Sequence, residues 1–288
     1  MTKRHLLLEQ WSKGLAELGG ALGQPQFAGV LLDAVRRLVD FDFVMAFAYR
    51  GKGQPVILGD TLDRARHRVI ATDYAAGPFL LDPFYQLVSD GRRGGCYRLH
   101  DVAPDHFRRS EYFREHYSRT GIGEEVGFVF PMEDGYVGVT SLARWTQSPP
   151  LTRADLEILQ ATEPAVGAFS RQHWRNTATV AAEVKAGPSI AHIGFRVLSV
   201  REREIVTMIL QGHSTQSVAL QLDISPGTVK IHRKNIYRKL KISTQGELFA
   251  AFLGGFAVQA PAYSHGGIPT QADITQSPLN LKKTGGTP

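Results

Sequence analysis

The sequence predicts an α/β N-terminal domain in residues 1–175 and an all-α C-terminal domain of four helices in residues 194–253. Three observations support this fold class. A chain of 288 residues has the length of two domains. Helix-type and strand-type patterns alternate along the first part, and short capped helices follow one another in the last part. The composition, 43% hydrophobic and 21% charged, excludes wholesale disorder.

A helix and a strand open the patterned part of the N-terminal domain. Apolar residues recur at helical spacing over residues 30–39, and a β-prone run follows over residues 41–49. The next segments are predicted to be a hairpin partner at 55–58, helices at 64–74 and 84–89, and a strand at 96–99.

The second half of this domain contains a hairpin signal and a helix signal. Residues 125–132 and 136–142 are β-prone and flank Glu133-Asp134-Gly135, and an Asp-Gly pair between such runs predicts a hairpin. Thr152 and Asp155 form a capping-box pattern, after which an apolar stripe continues towards Trp174. This helix is predicted to end the domain.

Two segments lack such patterns. Residues 176–193 are small, weakly patterned and broken by Gly187-Pro188, which predicts a linker. Residues 254–288 contain six Gly, four Pro and three charged side chains, which predicts a flexible tail.

Several functional classes are excluded by what the sequence lacks. One cysteine, Cys96, cannot form an intramolecular disulfide framework, and no long uncharged apolar run occurs, so we expect a cytoplasmic protein without a membrane span. Phosphate-binding loops, zinc-protease motifs and serine elbows are missing. We therefore expect no enzyme activity, no catalytic residue, no metal and no cofactor.

The net charge of +6 is unevenly distributed. Residues 1–193 contain 22 basic and 22 acidic side chains, whereas residues 194–250 contain 9 basic and 4 acidic ones. The surplus therefore belongs to the C-terminal domain, and a localised basic surplus is typical of nucleic-acid binding.

Cap residues divide the C-terminal domain into helices. Ser199 with Glu202 predicts a capping box, and Gly212 a C-cap. Ser214 caps a second helix, and Ser225 followed by Pro226 begins a third. Two short helices across a tight turn make a helix-turn-helix.

The third helix separates an apolar side from a basic one. Val229, Ile236 and Leu240 lie on one side, and between Lys230 and Lys241 there are six basic residues and no acid. A merely solvated helix face would normally interleave Glu, so we favour a helix that enters the DNA major groove. The candidate DNA contacts are Ser214, Thr215, Gln216, Thr228, Lys230, Ile231, His232, Arg233, Lys234, Asn235 and Arg238.

Residues 198–206, 212–219 and 224–240 resemble the LuxR-type helix-turn-helix almost without a gap. The resemblance implies that the third helix reads DNA, with Lys230, Ile231 and Lys234 at the base-facing positions. It also implies a fourth helix used in dimer contact, a homodimer on a two-fold operator in double-stranded DNA, and RNA polymerase as a further partner.

The N-terminal domain has two candidate relatives. A phosphoacceptor receiver needs acids after its strands, but Asp40 and Asp42 precede or open theirs. The autoinducer-binding domain of quorum-sensing regulators is more similar, and this resemblance implies an α/β/α sandwich, also described as GAF/PAS-like. The residues that match this family in the same order are Tyr74, Asp82-Pro83, Tyr97, Gly121-Ile122, Gly127 and Pro131.

That resemblance implies a small-molecule effector, such as an acyl-homoserine lactone. Asp82 then accepts a ligand N–H and Tyr74 donates to a ligand carbonyl. The sequence departs from the family near Ile70, where no Trp occurs, and Tyr97 stands where a second Trp is usual. The candidate ligand-binding residues are Tyr74, Asp82, Tyr97, Phe128 and Trp145.

An alternative stays open, in which the N-terminal domain binds a protein partner or only dimerises. A well-formed pocket beside Tyr74, Asp82 and Tyr97 favours sensing, whereas a tightly filled interior favours this alternative.

Overall fold

The computed structural model describes residues 3–51, 53–175, 195 and 197–257. The predicted linker at 176–193 lies outside the described residues, and so does the predicted tail from residue 258 onward.

A five-stranded antiparallel sheet forms the centre of the N-terminal domain. Its strands are β1 (Phe43–Tyr49), β2 (Val56–Asp60), β3 (Gly95–Arg98), β4 (Ile122–Pro131) and β5 (Val137–Trp145). They pair in the order β2-β1-β5-β4-β3. All seven side chains of β1 are buried, because both faces of the sheet are covered.

Eight α-helices accompany the sheet in the described residues of this domain. They are α1 (Lys3–Ala21), α2 (Phe27–Arg36), α3 (Arg64–His67), α4 (Asp73–Ala75), α5 (Pro83–Ser89), α6 (Leu99–Val102), α7 (Glu111–Glu115) and α8 (Arg153–His173). One core lies between the sheet and α1, α2 and α8, and includes Phe27, Phe128 and Val166. A second core lies on the opposite face, against the elements from α3 to α7. The predicted α/β/α sandwich is confirmed.

The hairpin between β4 and β5 shows why the chain has Asp-Gly there. Asp134 and Gly135 have φ angles of 56° and 74°, in the left-handed region that these two residue types tolerate best. The predicted strands are longer than expected, since β4 begins at Ile122 and β5 ends at Trp145.

The helical prediction over residues 64–74 agrees with the structure. These residues are helical throughout, with a π-helical turn over Arg68–Thr72 between α3 and α4, and Ile70 and Tyr74 lie in the core. The sequence patterns did not predict α1 at all. Its apolar residues form no single stripe, since Leu6 and Leu8 are exposed while Leu18 is buried.

The C-terminal domain consists of four helices, α9 (Val200–Gln211), α10 (Thr215–Gln221), α11 (Pro226–Leu240) and α12 (Gln245–Ala257). The last of these helices, α12, ends at Ala257, four residues beyond residue 253, after which the sequence predicts the tail to begin. Leu248, Phe249 and Phe252 are buried, which anchors this helix to the rest of the molecule.

The two domains share one apolar cluster. Phe107 and Tyr112 of the N-terminal domain belong to the same buried group as Ile209 of α9 and Phe252 of α12. The backbone N–H of His106 also donates to the carbonyl oxygen of Gly212, at 2.8 Å. Among the described residues, no helix combines the length and the apolar character that crossing a membrane requires.

Candidate DNA-binding surface and sensor cavity

Local caps and buried side chains hold α11 in place. The Ser225 hydroxyl accepts the backbone N–H of Thr228 at 3.0 Å, and Pro226 occupies the first helical position. Val229 and Ile236 are buried against the other helices of the domain. The opposite side of α11 therefore faces solvent.

That solvent-facing side carries the predicted base-reading residues. Lys230, Lys234 and Arg238 are exposed, and 63% of the Ile231 side chain is accessible. The Arg238 guanidinium donates to the Asn235 amide oxygen at 3.1 Å, which orients both groups along the same edge of the helix. We name the side chains of Lys230, Ile231, Lys234 and Arg238 the reading face.

The other predicted DNA contacts are less accessible. Gln216 is exposed, whereas the remaining ones are half-buried, namely Ser214, Thr215, Thr228, His232, Arg233 and Asn235. The Arg233 guanidinium donates to the Tyr237 hydroxyl at 3.1 Å.

One lysine of the basic helix has a different environment. The Lys239 ammonium lies 2.7 Å from a carboxylate oxygen of Glu202, which is buried in α9. Burial would raise the pKa of Glu202, but the hydrogen bonds from Lys239 and Ser199 outweigh it and hold that pKa below its usual value. Lys239 therefore joins α11 to α9, which the count of basic residues in the sequence could not show.

The start of α10 contacts the N-terminal domain. The backbone N–H of Ser214 donates to the Asp105 carboxylate at 2.9 Å. Partial burial would raise the pKa of Asp105, but the hydrogen bonds from Ser214 and the nearby His106 and His213 lower it. The Ser214 N–H, a predicted phosphate contact, is thus already bound by a carboxylate, beside an interdomain cleft of about 200 Å³.

A small cavity lies on the face of the sheet that the elements from α3 to α7 cover. Its volume is about 20 Å³, which is room for one water-sized group. Its lining residues are Met45, Phe47, Tyr49, Ile70, Tyr74, Asp82, Phe84, Tyr112, His116, Tyr117, Thr120, Ile122, Glu125 and Ser141. We name this space the sensor cavity.

Asp82 is the first of two carboxyl groups in the sensor cavity. One of its oxygens caps α5 by accepting the N–H groups of Phe84 and Tyr85, at 2.8 and 3.2 Å. The other oxygen accepts the Tyr112 hydroxyl at 3.2 Å. Burial raises the pKa of Asp82 to about 6, although these hydrogen bonds oppose the shift.

Glu125 is the second carboxyl group, and it projects into the cavity from β4. It accepts the Tyr117 hydroxyl at 2.8 Å and is hydrogen-bonded to Ser141. Burial, together with the negative charge of Asp82, raises the pKa of Glu125 to about 8. His116 also lines the cavity, and burial with the nearby Arg119 lowers its pKa to about 4.

The structure brings together only two of the five predicted ligand contacts. Tyr74 and Asp82 line the cavity, and the Tyr74 hydroxyl lies 2.7 Å from that of Tyr49. The other three do not line the cavity. The Tyr97 hydroxyl donates to the Gly94 carbonyl, and Trp145 stacks on Phe43. Phe128 lies on the opposite face of the sheet.

Sequence reasoning missed most of the polar lining. Glu125, Tyr112 and Tyr117 were not candidates, because no motif marked them. The signal for Glu125 was available, because Glu124 and Glu125 are adjacent where the predicted strand begins, and adjacent strand residues must point to opposite faces of the sheet.

Comparison with known proteins bears on the C-terminal domain first. Residues 196–250 match the family model of bacterial regulatory proteins of the luxR family. The chain is also 34% identical over 183 residues to the "HTH-type transcriptional regulator in exeN 3'region" of Aeromonas salmonicida, covering 60% of this chain and 93% of that protein. The chain belongs to the LuxR family of regulators. The recognition of a LuxR-type helix-turn-helix is confirmed.

Other similarities are more restricted. The response regulator protein TmoT of Ectopseudomonas mendocina is 41% identical over 63 residues, which cover 21% of this LuxR-family chain and 29% of TmoT. Among solved structures, the VqsR LBD domain from Pseudomonas aeruginosa is similar with a TM-score of 0.49 and 24% identity, covering 57% of this chain and 95% of that one.

Proposed function

We propose that this LuxR-family regulator binds specific DNA sequences by inserting α11 into the major groove. The observation that carries the proposal is the exposed, acid-free reading face on a helix whose other side is buried. Lys230 and Lys234 can donate to base edges, and Ile231 can contact a thymine methyl group. Exposed cations beside them neutralise phosphates.

The test is the double variant Lys230→Ala with Lys234→Ala in the full chain. We expect its affinity for an operator selected from random DNA to fall at least about tenfold, because each base contact contributes about 1–3 kcal/mol. The control variant is Lys13→Ala with Arg153→Ala, which removes two exposed cations from the N-terminal domain. Equal binding by both double variants would contradict the proposal.

A homodimer on a two-fold operator is part of the same proposal. One short helix contacts few base pairs, so useful specificity requires two half-sites. Sedimentation of the protein with a selected operator should give two chains per DNA site, and one chain per site would contradict this part.

We further propose that the N-terminal domain is a small-molecule sensor. The sensor cavity supports this, because a core that only held two chains together would not need two buried carboxyl groups and four tyrosine hydroxyls. The volume of about 20 Å³ favours the alternative of a partner-binding or dimerising domain. Native mass spectrometry of the purified protein separates the two, since a sensor should retain or take up a small ligand.

The contact between Asp105 and Ser214 supports a way for the sensor to control DNA binding. Backbone N–H groups at helix starts bind phosphates. A carboxylate on this N–H competes with a DNA phosphate for the same donor. We propose that the described arrangement is the docked state and that DNA binding requires Asp105 to leave Ser214.

A further inference from the structure

Among the described residues, every ionisable group that lines the sensor cavity is an acid, a phenol or a neutral imidazole. Asp82 and Glu125 are 5% and 3% exposed, and none of the described lysines and arginines lines the cavity. Carboxyl groups buried without a cation are costly. The cavity therefore lacks a positive charge.

Two other shielded carboxylates of the N-terminal domain have a basic partner. Glu124, the neighbour of Glu125 in β4, forms a two-pronged ion pair with Arg98, with N–O distances of 2.6 and 3.0 Å. Asp60 lies 2.7 Å from a ring nitrogen of His67. Half-buried Asp42 instead accepts the Trp145 N–H and the Ser148 hydroxyl. The cavity acids resemble Asp42 in having no basic partner among the described residues, but they are more deeply buried.

The fold gives a structural role to one of the two cavity acids but not to the other. Asp82 caps α5 and so has a structural role. Glu125 caps no helix, and the residues on the same side of β4 are the apolar Val129 and Gly127. A glutamine could accept the Tyr117 hydroxyl equally well, so the folded chain alone does not account for a carboxyl group at this position.

His116 adds a hydrogen-bond acceptor to the cavity. Its half-buried ring lines the cavity and lies beside the rings of Tyr74 and Tyr112. Because burial lowers its pKa to about 4, the ring is neutral at pH 7 and has one acceptor nitrogen. An ammonium group in the cavity can donate a hydrogen bond to this nitrogen.

We propose that the sensor cavity binds the ammonium head group of a small organic amine between the carboxyl groups of Asp82 and Glu125. The proposal rests on the sensor function proposed above and names its ligand class. An ammonium group donates three hydrogen bonds, is close to water in size and is attracted by tyrosine rings such as Tyr49 and Tyr74. A neutral acyl lactone supplies no charge for these acids.

The test titrates the full chain with methylammonium, ethylammonium and n-butylammonium chloride at constant ionic strength. The neutral probes are the alcohols of the same lengths and N-hexanoyl-homoserine lactone. We expect saturable binding and a raised melting temperature with at least one ammonium probe, and with none of the neutral probes.

Glu125→Gln keeps an acceptor for Tyr117 and removes the charge. We expect it to weaken ammonium binding at least about tenfold, as loss of one member of a buried charge pair does. Glu157→Gln removes the same charge from an exposed position on α8 and should leave binding unchanged.

A measurement on the unmodified chain keeps the proposal testable if Glu125→Gln does not fold. Cation binding requires deprotonated carboxyl groups, and burial raises the pKa of Glu125 to about 8. Calorimetry at pH 7 in buffers of different ionisation enthalpy should therefore show proton release, and affinity should rise from pH 6 to pH 9. Ammonium binding without either effect would overturn the role of Glu125.

The remaining outcomes separate this inference from the sensor function. Binding of the lactone or an alcohol instead of the ammonium probes would overturn the amine class and leave the sensor function intact. Binding of no probe at any pH would overturn the amine proposal, and native mass spectrometry would then decide the sensor function on its own. Neither result affects the DNA-binding test.

Discussion

Glu125 shows what one residue does when it is buried without a cation. Its carboxyl group is surrounded by the phenol of Tyr117, the hydroxyl of Ser141 and the charge of Asp82. Desolvation and the second acid both penalise the charged form. The native state therefore holds a proton that an unfolded chain releases at a lower pH.

This residue predicts a pH dependence of stability. The folded pKa of Glu125, about 8, lies above the usual value of 4.5, so between these values the folded state binds more protons than the unfolded state. Stability should then fall as pH rises, by on the order of 1 kcal/mol for each pH unit crossed. Urea unfolding from pH 5 to pH 8 should show a smaller decline for Glu125→Gln than for Glu157→Gln. Parallel stability profiles for the two variants would contradict a raised pKa of Glu125 in the folded state.

At the scale of elements, Gly212 combines two requirements. It ends α9 with a φ of 99°, in the left-handed region. A Cβ atom at this position would lie 2.8 Å from the Cα atom of Phe107, in the other domain. The turn that ends one helix is thus also a point where the backbones of the two domains approach closely.

We expect Gly212→Ala to destabilise the protein by about 1–3 kcal/mol. An alanine backbone is strained in the left-handed region, and its Cβ atom would collide with Phe107. Thermal unfolding of the full chain measures it. The control is Gly227→Ala, which adds a methyl group within α11 at ordinary contact distance and should be neutral or mildly stabilising. A loss of only about 1 kcal/mol, which the backbone strain alone explains, would mean that the two domains are not docked in solution.

At the scale of the whole molecule, the docked domains leave the reading face uncovered but not the start of α10. Lys230 and Lys234 are exposed, whereas the Ser214 N–H is bound to Asp105. Next to Gly212, the side-chain nitrogen of Gln211 is buried without a hydrogen-bond partner among the described residues. Such a group costs about 1–3 kcal/mol, which limits the stability of this arrangement.

Removal of the Asp105 carboxylate should favour DNA binding by the full chain. We expect Asp105→Ala to raise operator affinity about two- to fivefold without ligand, since a solvent-exposed charged contact contributes at most about 1 kcal/mol. Asp101→Ala removes the same charge from an exposed position and controls for the weaker repulsion of DNA. Fluorescence anisotropy with labelled operator measures both. Equal gains would show that only net charge matters.

Much of the architecture follows from local signals. The caps at Ser199, Ser214 and Ser225, the Asp-Gly hairpin and the capping box at Thr152 are each decided by residues within a few positions of one another. Such signals can be read from sequence because backbone groups at helix ends and turns are satisfied locally. The reading face is predictable for the same reason, as helical periodicity alone places its residues on one side.

The sensor cavity and the domain contact depended on tertiary structure. Glu125 and Tyr117 are eight residues apart, Asp82 and Tyr112 are thirty apart, and Asp105 and Ser214 are 109 apart. No local rule relates such positions, because their approach depends on how the chain packs its helices on the sheet. The sequence by itself therefore determined a helix-turn-helix with a basic reading face, whereas only the tertiary structure decided which acids share a cavity and which carboxylate binds Ser214.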